Sequence, residues 1–352
     1  MKRALGLLLI LVMLFGLAAC GGSTPQAPAQ QIGSQQPGTP SVSEPLTEPE
    51  VPAESATPAE SDNLKKPERP KPVEVPECTL AHLPDSSPNS RGEVKNILMI
   101  GNSFCFYFVE ELYGIASAAG YDPTIVNVYE AGCSMEEHWK YYLQMPVSHY
   151  DIWQTDSSGR VKTSDSAKLS DALESADWDI ISLQQHFPPA LAYYSSAALE
   201  SCEPYATELL ASLRQSHPDA ELFWQQTWAY QTDYSGMDPE KQTRQHNNIR
   251  LASRKLCEDH KIALIPSGDA WQLARANPQV GDTLCKDDFY HDGDVGGGQY
   301  LNACVWFEVL FGESCIGNTW RPQYAISEEK IIALQQAAHE AVIAIYSEEY
   351  FA

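Results

Sequence analysis

Ser103 follows the apolar run Ile97–Ile100 and the pair Gly101-Asn102, and far downstream Asp288 and His291 stand three positions apart. A serine hydroxyl is a poor nucleophile at neutral pH and needs a base within hydrogen-bond reach. A histidine can be that base, while a carboxylate fixes its tautomer and stabilises the imidazolium that forms. Three-residue spacing lets Asp288 and His291 project toward one side of a turn. The set therefore has the makings of acyl-ester hydrolysis, with Ser103 as nucleophile, His291 as base and Asp288 as orienting acid. Alternatives lie close by. Asp287 could replace Asp288, His186 could replace His291, and Cys105 offers a thiol two positions past Ser103.

Such residues work only if the backbone brings them together, and the intervening pattern indicates how. Short apolar or β-branched runs at Ile97–Ile100, Thr124–Tyr129, Trp178–Leu183, Glu221–Gln225 and Ile262–Ile265 predict five strands. Helical periodicity is expected over Val109–Ala119, Met135–Gln144, Lys168–Ala176, Ala197–Gln215, Asp238–Asp259, Gly298–Leu310 and Glu328–Tyr346. This alternation predicts a three-layer α/β/α sandwich with a parallel central sheet. Ligands on such sheets bind beyond the carboxyl ends of the strands. Ser103, Gly132 and Gln184 each fall just after a predicted strand and so share one rim. Asn102 and His138 are candidates to line a pocket there. Trp224, Trp228 and Tyr230 could stack on a sugar face or belong to the core. No HExxH, P-loop or GxGxxG stands in a supporting context, so no metal or cofactor is expected.

The chain of 352 residues has room for one large domain behind a leader. Lys2 and Arg3 precede the apolar run Leu5–Leu17, which is short for a membrane span, and Leu17-Ala18-Ala19-Cys20 closes it. Residues 1–19 read as a secretory signal peptide. The four closing residues resemble a bacterial lipobox. That resemblance implies cleavage before Cys20, acylation of its thiol, and an extracytoplasmic protein anchored in the bacterial cell membrane. More than one acyl chain gives a stable anchor where a single chain is marginal. From 20 to 92 Pro, Ser, Thr, Glu and Gln dominate, a composition that cannot bury enough apolar surface to order itself. This segment is expected to be a stalk on the order of 45 Å in span. Residues 93–352 form the folded domain, expected to be a monomer. The formal net charge of -24 and pI near 4.6 argue against nucleic acid and polyanionic substrates. Eight cysteines remain besides Cys20. Outside the cytoplasm they could form disulfides or stay as buried thiols, and no pairing is assigned.

The ordered set Ile100-Gly101-Asn102-Ser103-Phe104, Ala131-Gly132-Cys133-Ser134-Met135, Leu183-Gln184-Gln185, Thr227–Tyr230, Ile265-Pro266-Ser267-Gly268-Asp269-Ala270 and Asp288-x-x-His291 resembles the SGNH (GDSL-like) hydrolases. More closely it resembles a branch of that superfamily made of domains of unknown function, over roughly residues 94–315. The resemblance implies a serine esterase with Ser103, His291 and Asp288 in the roles above. It also implies an oxyanion hole from the N–H groups of Ser103 and Gly132 and a side-chain amide after the third strand. The usual Gly-x-Asn-Asp is replaced there by Leu183-Gln184-Gln185, so the amide belongs to Gln184 or Gln185, with Gln184 favoured. Asn102, His138 and Trp228 are the implied substrate contacts. The implied substrate is an acylated, above all acetylated, carbohydrate or a small ester. A lipase or thioesterase, or an inactive glycan-binding surface lipoprotein, would fit the same pattern.

Overall fold

The computed structural model describes residues 94–285, 288–293 and 296–347. The proposed leader and stalk, with Cys20 and Cys78, lie outside the described residues, as does Asp287.

Five strands run parallel: β1 (Asn96–Gly101), β2 (Thr124–Tyr129), β5 (Ile180–Gln184), β6 (Glu221–Gln225) and β7 (Ala263–Ile265). Two further strands, β3 (Tyr150–Asp156) and β4 (Gly159–Ala167), form an antiparallel hairpin on the outer side of β2. The sheet order is β4-β3-β2-β1-β5-β6-β7. The expected three-layer sandwich is present, and its sheet is mostly rather than wholly parallel. The hairpin corrects the expectation of five strands. Its sequence lacks a continuous apolar run, because β4 is largely exposed and only one of its edges is paired, to β3.

β1 reads N-I-L-M-I-G and is buried along nearly its whole length, as befits a strand covered on both faces. The chain leaves it leftward to β2 and later returns to add β5, β6 and β7 on its right. Right-handed crossovers therefore place helices on opposite faces. One layer contains α1 (Val109–Ala118), α7 (Ser267–Ala276), α8 (Gly298–Phe311) and α9 (Glu328–Tyr346), which pack on one another. The other holds α5 (Tyr205–Ser216) and α6 (Pro239–His260), with α2 (Met135–Trp139) packed on α5 and α4 (Ser195–Glu200) on α6. A short α3 (Leu169–Leu173) precedes β5. Helix α8 is buried on every side, so it carries no polar stripe.

Three helical expectations are corrected. The run Ala197–Gln215 is broken in two, because Pro204 cannot donate to the helix ladder. The α-helix begun at Met135 passes into a π-helical turn over Lys140–Gln144. Helix α7 was not expected at all. The seven described cysteines besides Cys20 and Cys78 are free and buried. No helix among the described residues is long and apolar enough to cross a membrane.

The register aligns the strand exits. Gly101 lies opposite Tyr129, Ile100 opposite Leu183, and Gln184 opposite Gln225. The loops leaving β1, β2, β5 and β6 therefore converge on one rim. The strand order reverses direction at β1, the kind of switch point at which α/β sheets open a crevice.

Candidate active site

Ser103 begins a single 3-10 turn, Ser103–Cys105, directly beyond β1. The carbonyls of this turn are held by side chains from three other strands. Asn127 in β2 donates from Nδ2 to Cys105 O at 2.9 Å, and Gln225 at the end of β6 donates from Nε2 to Phe104 O at 3.1 Å. Arg160 in β4 donates to Phe106 O at 2.8 Å, with its guanidinium over the Phe106 ring. Asn102 accepts from Phe104 N at 3.0 Å and donates to Cys133 O at 2.9 Å, which ties the turn to the loop containing Gly132. The backbone around Ser103 is thereby fixed by buried side chains. Asn127 had a visible signal, a lone amide inside T-I-V-N-V-Y. Arg160 and Gln225 had none.

His291 Nε2 lies 2.7 Å from Ser103 Oγ. Its Nδ1 is hydrogen-bonded to Asp288, whose other carboxylate oxygen accepts from His291 N at 3.1 Å. Burial pushes the Asp288 carboxyl up, but the hydrogen bonds from His291 outweigh it and hold the group below its ordinary value. The two residues share one turn because Phe289 between them adopts a left-handed φ of 67°.

This turn belongs to no long element. A bridge between Cys285 and Asp292 closes its base, and Gly293 N donates to Leu284 O at 3.0 Å. The loop after β6 holds its tip. Gln231 N donates to Phe289 O at 2.9 Å, Gln231 Oε1 accepts from Cys285 N at 3.2 Å, and Trp228 Nε1 donates to Tyr290 O at 2.8 Å. Trp228 is 1% exposed and stacked on Trp271 of α7 at 4.3 Å. It is a buried brace for the His291 turn, which corrects the expectation that it meets substrate.

His138 is corrected in the same way. It is fully buried behind the Gly132 loop, with Nδ1 3.0 Å from the Tyr150 hydroxyl. Gly132 itself is at the surface, with φ 68° and open space where a Cβ would stand.

The two glutamines part company. Gln184 is 1% exposed and packs on Gly101 and Cys105, where a Cβ on Gly101 would stand 2.5 Å from its Nε2. It supports the turn from below. Gln185 lies one residue past β5, and its Oε1 accepts from Met135 N at 2.7 Å. That bond fixes the amide plane of Gln185 against the loop containing Gly132. Both glutamines are buried; Gln185 is tied to the loop containing Gly132, and Gln184 packs beneath the Ser103 turn.

The alternative residues Cys105 and His186 lie nearby and are engaged otherwise. Burial drives the Cys105 thiol up to about 12, far from thiolate formation at neutral pH. His186 donates or accepts at the Tyr230 hydroxyl, 2.7 Å from Nε2, and stacks on Phe104 at 4.3 Å. Tyr290, Tyr230 and Tyr107 complete an aromatic wall around His291.

A serine, a histidine and a carboxylate linked by hydrogen bonds at the rim of a mostly parallel sheet define this as an α/β protein with a serine–histidine–carboxylate constellation. The chain belongs to the DUF4886 family, described as a domain of unknown function, whose model matches residues 96–341. A crystal structure of a DUF4886 family protein from Bacteroides uniformis is 29% identical, covers 71% of this chain and 95% of its own, and has a TM-score of 0.63. A protein from Slackia heliotrinireducens, described as a putative SGNH hydrolase, is 18% identical over 61% of this chain and 98% of its own, with a TM-score of 0.43. The acetyl xylan esterase AlAXEase is 15% identical over 60% and 98%, with a TM-score of 0.39. No curated protein matches the chain.

Burial lowers both His138 and His186 to about 4, with the charge of His291 adding to the effect at His186. In the unfolded chain both return to about 6.5. The unfolded state therefore binds more protons between these values, so stability is complete above about 6.5 and is lost as pH falls toward 4. The urea midpoint should drop through this window, and His138→Phe should make the drop shallower. A midpoint that stays level across the window, or falls as steeply in the variant, contradicts this account.

Proposed function

We propose that this protein is a serine ester hydrolase of the SGNH type that removes acyl groups, acetyl foremost, from a carbohydrate. The single observation that carries the reading is the 2.7 Å contact between Ser103 Oγ and His291 Nε2, with Asp288 on the opposite ring nitrogen. His291 takes the Ser103 proton as the oxygen attacks the ester carbonyl, and Asp288 stabilises the imidazolium. The negative charge on the tetrahedral oxygen is met by the N–H groups of Ser103 and Gly132 and by the Gln185 amide. His291 then returns its proton to the leaving alcohol, and water repeats the sequence on the acyl-enzyme. The carbohydrate preference is supported by the aromatic surroundings of His291.

The leader and stalk extend the proposal. Cys20 carries the lipid, and residues 20–92 hold the hydrolase clear of the outer face of the cell membrane. Support for this comes from Leu17–Cys20 standing directly before a segment poor in large apolar residues. Cys20→Ala should abolish incorporation of labelled fatty acid and shift the protein from the membrane pellet to the soluble fraction. Equal labelling of variant and parent would rule out this anchor.

A fluorophosphonate probe should label the parent protein and leave Ser103→Ala unlabelled. Ser103→Ala and His291→Ala should each lower hydrolysis of para-nitrophenyl acetate by about 10⁴-fold or more, and the double variant by no more, since the pair acts as a unit. Asp288→Ala should retain more activity than either. Substantial activity in Ser103→Ala would sink the mechanism.

Gln185→Ala should lower kcat by roughly 10²-fold with little change in KM, the magnitude expected for one lost oxyanion donor. Gln184→Ala should act through the nucleophile's turn, lowering thermal stability together with activity. Should Gln184→Ala cost kcat alone, with stability intact, the two roles are reversed.

A further inference from the structure

A cleft of about 220 Å³ opens on the same rim, lined by Pro189, Ala192, Tyr193, Tyr234, Met237 and Arg244 among others. It is joined to the reacting residues by aromatic contacts. The Tyr290 ring lies 4.5 Å from that of His291, and Tyr234 meets Tyr290 edge-on at 6.3 Å. The cleft is formed by segments that follow β5 and β6, the side from which the His291 turn is also held. Gly132 follows β2, on the opposite side of β1. An ester bound with its carbonyl oxygen toward Gly132 therefore directs its alcohol portion past His291, the proton donor to that alcohol, and into the cleft.

The lining indicates what that alcohol is. Tyr193 is 51% exposed, yet its backbone is fixed, because Asn248 Nδ2 donates to both Ala192 O and Tyr193 O at 2.9 Å. A large exposed ring on a fixed backbone is a binding surface partly prepared in advance. Tyrosine offers an apolar face and a polar edge, which suits a ring whose C–H face is apolar and whose hydroxyls stay hydrated. The rim cations do not ask for an anion. Lys241 is already 3.1 Å from Asp238, and Arg244 is 2.8 Å from Glu240. The volume lies below the range of about 300–1,000 Å³ that holds drug-sized ligands, enough for about one ring.

Building on the ester hydrolase reading, we infer that this cleft is the leaving-group subsite and takes a neutral sugar ring of the saccharide whose hydroxyl bears the acyl group. Hydrolysis of O-acetylated xylotriose is compared with that of ethyl acetate, whose alcohol has no ring to enter the cleft, and with glyceryl tributyrate. Tyr193→Ala should lower the ratio of kcat/KM for the trisaccharide over ethyl acetate about tenfold, mainly through KM, and Tyr193→Phe should recover most of it. Calorimetric titration of Ser103→Ala with the acetylated trisaccharide should show binding that the added Tyr193→Ala change weakens by a similar factor. An unchanged ratio, or a loss confined to tributyrate, overturns the saccharide subsite. These outcomes stand apart from the mechanism: a hydrolytically competent Ser103→Ala protein defeats the esterase reading itself, whereas an inert Ser103→Ala with an unchanged Tyr193 ratio defeats only the subsite.

Discussion

The position of His291 depends on hydrogen bonds supplied by a loop elsewhere in the chain. The turn that carries it has no ladder of its own, so Gln231 and Trp228 take up the carbonyls of Phe289 and Tyr290. Trp228 is held in turn by stacking on Trp271, whose Nε1 donates to Asn302, and Asn302 donates to Asp292 beside His291. The circuit closes on itself through the loop after β6, α7, α8 and the His291 turn. It needs α7 to approach the loop closely. Gly268 allows this, since a Cβ there would stand 2.3 Å from Thr227 O. Glutamines on α6 secure the other side of the loop, with Gln245 accepting from Tyr230 N and Gln242 donating to Tyr230 O.

The turn that carries Ser103 is treated in the same manner by different residues. Buried amides are costly unless their hydrogen bonds are made. Here Asn102, Asn127 and Gln225 spend theirs on the Ser103 turn and the adjoining Gly132 loop. Part of the polar content of this core thus serves the strand exits, where backbone must leave the sheet and still have its carbonyls satisfied. A turn so constrained keeps Ser103 Oγ within reach of a histidine from a remote part of the sequence.

The legible parts of the sequence were those where a residue's surroundings follow from its neighbours. Strands β1, β2, β5, β6 and β7 are short apolar runs buried on both sides, and they stand close to where the pattern puts them. The β3–β4 hairpin was hidden because an exposed strand such as G-R-V-K-T-S-D-S-A has no apolar period to detect. Helix α7 was hidden because S-G-D follows Pro266 without a distinct capping signal. In the site, Ser103, Asp288 and His291 were legible from type and spacing, and the structure brings the three together. The choice between Gln184 and Gln185 was not. Alternation says that the two face opposite ways, but only the tertiary approach of Met135 N to Gln185 shows which amide meets the Gly132 loop. Trp228 and His138 have types that suit a pocket and a core equally well, and burial alone separates the two.

The hairpin that escaped the sequence pattern also ends the sheet. An outermost strand presents unpaired backbone groups on which another chain can grow, and cells treat such strands as an aggregation hazard. Strand β4 is outermost and carries Lys162 and Asp165 along its exposed length, with Lys162 paired to Asp151. At the opposite border β7 has only three residues, too few to template a long ladder. Both borders are thus closed to further strands, one by charge and the other by brevity. Arg160 serves a different purpose on the same strand, since its guanidinium reaches inward to Phe106 O. Redesign of β4 to add apolar residues would therefore risk self-association, and removing Arg160 in the process would loosen the turn that carries Ser103.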